Sequence, residues 1–161
     1  MNITVDISDP PLIQCVITGS PRPESKRNIW YYRNGTRVMG RVDTDEIKDY
    51  KSYCRACMVQ ARPPAPLDCP LLLHVVFYSL KPTGAPKKQS WPLKRPDTDN
   101  LIKPVKDAAM GCWWVDDARV CVEIVEKRFT AEAERIELAV YSLPEEPQVS
   151  VRVGGQEAME L

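Results

Sequence analysis

The stretch that decides how this chain is interpreted reads Arg95-Pro96-Asp97-Thr98-Asp99-Asn100-Leu101-Ile102-Lys103, and Asp116-Asp117 follows it a short distance downstream. Two carboxylates stand two residues apart, and a lysine follows the second by four residues. Acidic side chains held close together repel one another unless a cation lies between them. Aspartate oxygens are ligands that Mg²⁺ and Mn²⁺ prefer. The pattern therefore predicts a metal-dependent site for phosphoryl-transfer chemistry.

The first carboxylate pair has two interpretations. In an extended segment Asp97 and Asp99 lie on one side of the chain and can share an ion. Alternatively, an aspartate before a helix caps orphan backbone N–H groups. The second pair downstream favours metal binding, and Asn100 would hold the turn or orient a carboxylate.

Lys103 and Asp107 each carry a functional and an ordinary alternative. Lys103 would stabilise negative charge that builds up on a phosphate, or would be a solvated lysine or pair with Asp99. Asp107 either supports the site or pairs with Lys103 four residues earlier.

The downstream pair follows the apolar segment Trp113-Trp114-Val115, which we expect to deliver Asp116 and Asp117 to a strand edge beside the first pair. Otherwise the pair is a turn before a strand. The tryptophans could stack on unpaired bases. Because consecutive residues of a strand face opposite ways, at least one of them is expected in the core.

The combination of Asp97-x-Asp99-Asn100-x-x-Lys103, Asp107-Ala108, Gly111 and Asp116-Asp117 resembles the RusA family of Holliday-junction resolvases. The close match runs from about Lys94 to Lys127. These are small homodimeric endonucleases, typically of phage or prophage origin. The resemblance implies a homodimer that cuts four-way DNA junctions by paired symmetric nicks, with Mg²⁺ (or Mn²⁺) held by Asp97, Asp99 and Asp117.

The same resemblance assigns Lys103 to the catalytic group and leaves Asp116 as a supporting residue or an alternate ligand. Two other functions remain open on the residues alone. One is a different Mg²⁺-dependent nuclease, structure-specific or nonspecific. The other is a non-catalytic interaction protein whose acidic residues only cap helices.

Composition predicts one soluble domain in 161 residues. No apolar run is long enough to span a membrane, and the first residues lack a signal-peptide pattern, so we expect a cytoplasmic protein. The domain is predicted to cover residues 1–143, and residues 144–161 are predicted to form a flexible acidic tail.

Net charge is zero and the pI is about 6.6, which is unusual for a nucleic-acid binder. The charge is unevenly distributed, however, because two segments are strongly basic: 22–41 and 81–95. They could present a basic face to phosphates, or they could be ordinary solvated loops. The residues predicted to bind DNA are Arg22, Lys26, Arg27, Arg33, Arg37, Lys87, Lys88, Lys94 and Arg95.

Cysteine and histidine residues do not indicate a second functional site. Cys54-x-x-Cys57 has no second such pair, so a zinc site is not expected, and the two cysteines are predicted on a helix. His74 is the chain's single histidine and lies in the apolar run 71–80, as a strand residue would. A catalytic triad that requires histidine is therefore not expected.

The predicted element order is β, β-hairpin, α, β, α, β, β, which gives an α+β fold with a mixed β-sheet and two helices packed on it. Asn34-Gly35 predicts a tight hairpin turn. Helices are predicted over 44–61 and 99–110, although Pro104 suggests that the regular part of the second begins only near residue 104. The last two strands, 119–128 and 133–142, are predicted to be antiparallel neighbours.

Overall fold

The computed structural model describes residues 10–144 of the chain. The predicted tail, 144–161, lies almost entirely outside these residues. The strands are β1 (Ile13–Thr18), β2 (Lys26–Arg33), β3 (Thr36–Asp43), β4 (Leu71–Leu80), β5 (Val120–Thr130) and β6 (Arg135–Ser142). The helices are α1 (Asp45–Val59) and α2 (Thr98–Ala109), and a single 3-10 turn spans Asp117–Arg119.

Four strands form one mixed sheet in the order β1-β6-β4-β5. Strand β4 pairs in parallel with β5 and antiparallel with β6, which in turn pairs antiparallel with β1. The α+β fold with a mixed sheet and two helices is therefore confirmed. The prediction that the last two strands are neighbours is wrong, because β4 lies between them.

Both helices pack on one face of this sheet, where alternate residues of β4 point. Leu71, Leu73, Val75 and Phe77 are buried there against Val105 and other residues of α2. Trp113 and Trp114 are fully buried in the same core with their rings edge to face. The predicted alternative that one of them stacks on bases is therefore wrong, since neither ring reaches the surface.

The hairpin of β2 and β3 forms a separate two-stranded sheet, with Asn34 and Gly35 at its turn. Both turn residues have positive φ, 50° and 76°, as a type I′ turn requires. The hairpin signal in the sequence is confirmed, but the hairpin does not join the main sheet.

Helix α2 begins at Thr98, so the prediction of a late start near Pro104 is wrong. Proline cannot donate to the carbonyl four residues earlier, which is that of Asn100. In the structure this carbonyl accepts a hydrogen bond from the backbone N–H of Glu24 at 2.7 Å. The turn before β2 thus supplies the donor that the helix lacks. The helix ends before Gly111, whose φ of 73° suits the exit from a helix.

Candidate active site

Helix α2 is the crossover between the parallel strands β4 and β5, and it carries the first carboxylate pair at its N-terminus. The long segment 81–96 leads into it. Lys127 of β5 donates to the carbonyls of Lys94 (3.1 Å) and Pro96 (2.9 Å), which fixes the helix start beside the carboxyl end of β5. Asp97 and Asp99 therefore project from the edge of the sheet where β4 and β5 end.

The side chains of Asp97 and Asp99 are exposed. Asp97 occupies the N-cap position of α2 with an extended backbone, yet its side chain makes no capping hydrogen bond. The capping alternative is therefore wrong for Asp97. Both carboxylates lie at a helix N-terminus, where backbone N–H groups and the helix dipole favour anionic groups. This placement offsets part of the repulsion between them.

Lys103 lies about one turn further along α2 and forms an ion pair with Glu24, whose Oε1 is 3.2 Å from Nζ. The same carboxylate lies 3.1 Å from Lys26 at the start of β2. Although burial raises the pKa of Glu24, contacts with the two lysines outweigh that effect and leave the pKa below its usual value. Lys103 thus pairs with Glu24, and not with Asp99 or Asp107 as the alternatives from the sequence had it.

Asp107 belongs to a different cluster, at the contact between the two helices. Its Oδ2 lies 2.5 Å from Lys51 of α1, and the same lysine lies 2.6 Å from Asp43. Burial lowers the pKa of Lys51, but hydrogen bonds to the two carboxylates dominate and raise it. Asp107 therefore joins α2 to α1, and this contact accounts for its position.

The second carboxylate pair lies at the other end of the crossover. Gly111 donates to the carbonyl of Trp114 (2.7 Å) just past the end of α2, and the 3-10 turn then leads into β5. From Thr98 to Ala109 the helix is about 18 Å long. Asp97 and Asp117 are thus separated by the length of α2, and the prediction that the two pairs lie side by side in one chain is wrong.

The two downstream carboxylates have different contacts. Asp116 caps the 3-10 turn by accepting from the Ala118 N–H at 2.7 Å, so the turn interpretation holds for this residue. Asp117 is half-buried, and its Oδ1 accepts from the Trp114 indole N–H at 2.8 Å. Since Trp114 is fully buried, it fixes one oxygen of Asp117 firmly. Its other oxygen, Oδ2, accepts no hydrogen bond from residues 10–144.

Within residues 10–144, no three histidine, cysteine or acidic side chains converge in an arrangement that could hold a metal ion. One copy of the chain therefore does not fit a site in which Asp97, Asp99 and Asp117 share an ion. Asp97 and Asp99 alone offer two carboxylates, which suits Mg²⁺ when water and substrate phosphate complete the shell.

The residues predicted to bind DNA are all exposed. Those of the segment 22–37 lie on β2, β3 and the turn before them, and those of 87–95 lie on the segment that leads into α2. Lys26 at the base of the hairpin is joined to Lys103 of α2 through Glu24, and the segment 87–95 leads directly to Asp97. Sequence reasoning missed Glu24, which follows a proline-rich turn and gives no periodic signal.

The chain is a small α+β domain with one carboxylate pair at each end of α2. A family model described as endodeoxyribonuclease RusA matches residues 17–141, and the chain belongs to this family. The chain is also 30% identical over 118 residues to the uncharacterized protein YqaN of Bacillus subtilis (strain 168). That match covers 67% of this chain and 81% of the relative. Family membership supports a nuclease that hydrolyses DNA. No helix among the described residues is both long and apolar enough to cross a membrane.

Proposed function

We propose that this protein is a homodimeric, Mg²⁺-dependent endonuclease that resolves four-way DNA junctions by paired symmetric nicks. Mn²⁺ would substitute for Mg²⁺. Membership of the endodeoxyribonuclease family supports the reaction class. The exposed carboxylates of Asp97 and Asp99, with the basic segment 81–95 immediately before them in the chain, support the position of the site.

The proposal of a homodimer is supported by the separation of Asp97 and Asp117, which lie at opposite ends of α2. Mg²⁺ holds its ligands at about 2.0–2.1 Å. Asp97 precedes α2, Asp117 follows it, and within residues 10–144 no three such side chains converge, so we expect that Asp117 of the same copy does not join Asp97 and Asp99. Strand β5 lies at an edge of the sheet, and α2 runs alongside it in the opposite direction. A twofold axis beside β5 and α2, perpendicular to them, makes α2 of the second copy run in the opposite direction to α2 of the first. The Asp117 end of the second copy then meets the Asp97 end of the first.

In this arrangement each of two sites takes Asp97, Asp99 and Lys103 from one copy and Asp117 from the other. Bound Mg²⁺ would activate a water molecule and neutralise charge on the scissile phosphate. Lys103, which pairs with Glu24, would stabilise the charge that develops as the bond to the leaving oxygen breaks. The products would carry 5′-phosphate and 3′-hydroxyl ends. Two symmetric sites match the symmetry of a four-way junction.

The first experiment compares cleavage of a synthetic four-way junction, the matching linear duplex and a single strand, each with Mg²⁺ and with EDTA. We expect metal-dependent cleavage of the junction in two strands of like polarity. Equal cleavage of all three substrates would indicate a general Mg²⁺-dependent nuclease. Absence of cleavage with Mg²⁺ and with Mn²⁺ would reject the proposal that this protein is a metal-dependent nuclease.

A mixing experiment tests whether the site is shared. Asp97→Asn and Asp117→Asn are each expected to be inactive alone. In a mixed dimer, one site receives both substitutions and the other receives none, so junction nicking should reappear. If both sites were built within single copies, each site of the mixed dimer would carry one substitution and the mixture would stay inactive.

The same mixture allows a measurement that does not depend on catalysis. Tb³⁺, a luminescent probe for Mg²⁺ sites, should be sensitised by Trp114, which contacts Asp117. We expect tight Tb³⁺ sites in the unsubstituted dimer, half as many in the mixed dimer, and none in either variant alone. Unchanged binding in Asp117→Asn would remove this residue from the site.

A further inference from the structure

The β2–β3 hairpin exposes large apolar side chains that the proposed nuclease chemistry does not use. The exposed fractions are 58% for Trp30, 74% for Tyr32 and 56% for Met39. Exposed aromatic residues on an isolated hairpin contribute little to folding, because they bury little surface. They therefore indicate a surface that binds something.

These side chains lie on one face. Residues two apart on a strand point the same way, which places Trp30 with Tyr32. Cross-strand partners also share a face, so Met39 opposite Trp30 and Arg37 opposite Tyr32 join them. The Arg37 guanidinium stacks over the Trp30 ring at 4.5 Å. We call Trp30, Tyr32 and Arg37 the hairpin face.

The charge of the hairpin favours an anionic partner. No acidic residue occurs in 26–42, whereas the basic residues there are Lys26, Arg27, Arg33, Arg37 and Arg41. A twofold contact between two hairpins would bring these cations against their own copies. A second copy of the chain is therefore a poor occupant for this surface, and a nucleic acid is a good one.

The base of the hairpin lies beside the candidate active site. Glu24 contacts both Lys26, the first residue of β2, and Lys103 of α2. Trp30 is four residues further along β2, which is about 13 Å at the usual rise of a strand. A DNA strand with its phosphate near Lys103 would therefore reach the hairpin face within a few nucleotides.

We propose that the hairpin face stacks on unpaired bases of branched DNA and so distinguishes branched DNA from intact duplex. The proposal rests on the proposed function for its substrate class. Bases inside a duplex already stack on their neighbours, whereas bases at an open branch point expose a free ring. Tyr32 and the face of Trp30 that Arg37 leaves uncovered supply ring faces for them, and Arg37 supplies a charge for the adjacent phosphate.

The test measures binding in EDTA, where no cleavage is required, to a four-way junction, a single strand and a linear duplex. Trp30→Ala and Tyr32→Ala should each weaken binding to the junction and the single strand by about tenfold. Affinity for the duplex should change by less than about twofold. Trp30→Phe keeps a ring and should retain most of the affinity, and the unchanged duplex affinity of Trp30→Ala excludes misfolding as the cause.

Two controls identify the partner. Met39→Ala removes an exposed apolar side chain from the same surface without removing a ring, and it should reduce the junction and single-strand affinities much less than Trp30→Ala does. Quenching of tryptophan fluorescence by the single strand should decrease in Trp30→Phe, whereas Trp91→Phe should retain the contribution of Trp30, because Trp91 is similarly exposed but lies outside the hairpin.

Three results would overturn the proposal. They are an equal loss of affinity for all DNA forms, no loss for any of them, and a change of oligomeric state in Trp30→Ala measured by sedimentation. Because these measurements require no cleavage, they are independent of whether the protein is a nuclease. Conversely, a hairpin without a role in binding would leave the metal-dependent cleavage by the unsubstituted protein intact.

Discussion

Replacing Trp114 with phenylalanine removes the indole N–H that donates a hydrogen bond to Asp117, while an aromatic ring remains in the core. The hydrogen bond measures 2.8 Å, and Trp114 is fully buried, so the substitution acts on one well-defined contact. We expect Trp114→Phe to reduce both stability and junction cleavage. Stability falls because a buried contact is lost, and cleavage falls because Asp117 is no longer oriented.

The size of the stability loss follows from two terms. A hydrogen bond to a charged group contributes about 1.5–3 kcal/mol, and the lower end applies because Asp117 is half-buried and water replaces part of the contact. The smaller ring leaves a space, which costs about 1 kcal/mol, well below the cost of removing the whole side chain. The sum is about 2–3 kcal/mol, which in a chain of this size lowers Tm by roughly 5–10 °C.

The assay is urea unfolding followed by far-UV circular dichroism, because the substitution itself changes tryptophan fluorescence. Asp117→Asn is the matched control. Its amide oxygen still accepts from Trp114, so stability should stay within about 1 kcal/mol of the unsubstituted protein while cleavage is lost. If Trp114→Phe unfolds at the same urea concentration with the same slope, the indole does not hold Asp117 and the reasoning fails.

Asp97→Asn should abolish cleavage yet leave Tm in EDTA equal or higher, because repulsion from Asp99 should exceed the stabilisation that the exposed Asp97 gains at the helix N-terminus, where it makes no capping hydrogen bond; a clear drop in Tm would show a structural role. Lys103→Ala should slow single-turnover cleavage by about 100-fold with Tb³⁺ binding unchanged, and a rate within about twofold of normal would remove it from the site. Glu24→Gln should destabilise the protein near neutral pH, because the folded-state pKa of Glu24 is lowered. The difference in unfolding free energy between the two proteins should shrink as the pH falls below the usual pKa of 4.5. A difference that stays constant down to about pH 3 would contradict this account. Neutralising Lys87 and Lys88 should weaken binding to every DNA form and reduce the salt slope by about 0.9 per lost phosphate contact, whereas an unchanged slope would place DNA on another surface.

Local signals in the sequence predicted most elements of this fold. Asn34-Gly35 predicted the hairpin turn, and the helix predicted over 44–61 corresponds to α1, as the structure confirms. These signals depend on residues close together in the chain. The pairing of β4 with both β5 and β6 depends on distant contacts, so the sequence alone did not reveal it.

The arrangement of the candidate site also depends on contacts between distant parts of the chain, which the sequence alone did not reveal. The motif identified Asp97, Asp99 and Asp117 as candidates, but closeness in sequence suggested closeness in space. A crossover helix between parallel strands necessarily separates its two ends, and only knowledge that β4 and β5 are parallel would have revealed this. The consecutive tryptophans were misjudged for a related reason, because they follow a helix end instead of lying on a strand.

The hydrogen bond between the Glu24 amide and the Asn100 carbonyl makes one backbone proton a reporter of helix α2. That amide belongs to an irregular turn, where exchange with solvent deuterium would ordinarily be fast. Here it can exchange only when the turn separates from α2 or when the helix itself opens. Deuterium uptake at Glu24 therefore follows the opening of the element that carries Asp97, Asp99 and Lys103, and binding of DNA or metal at that end should slow it.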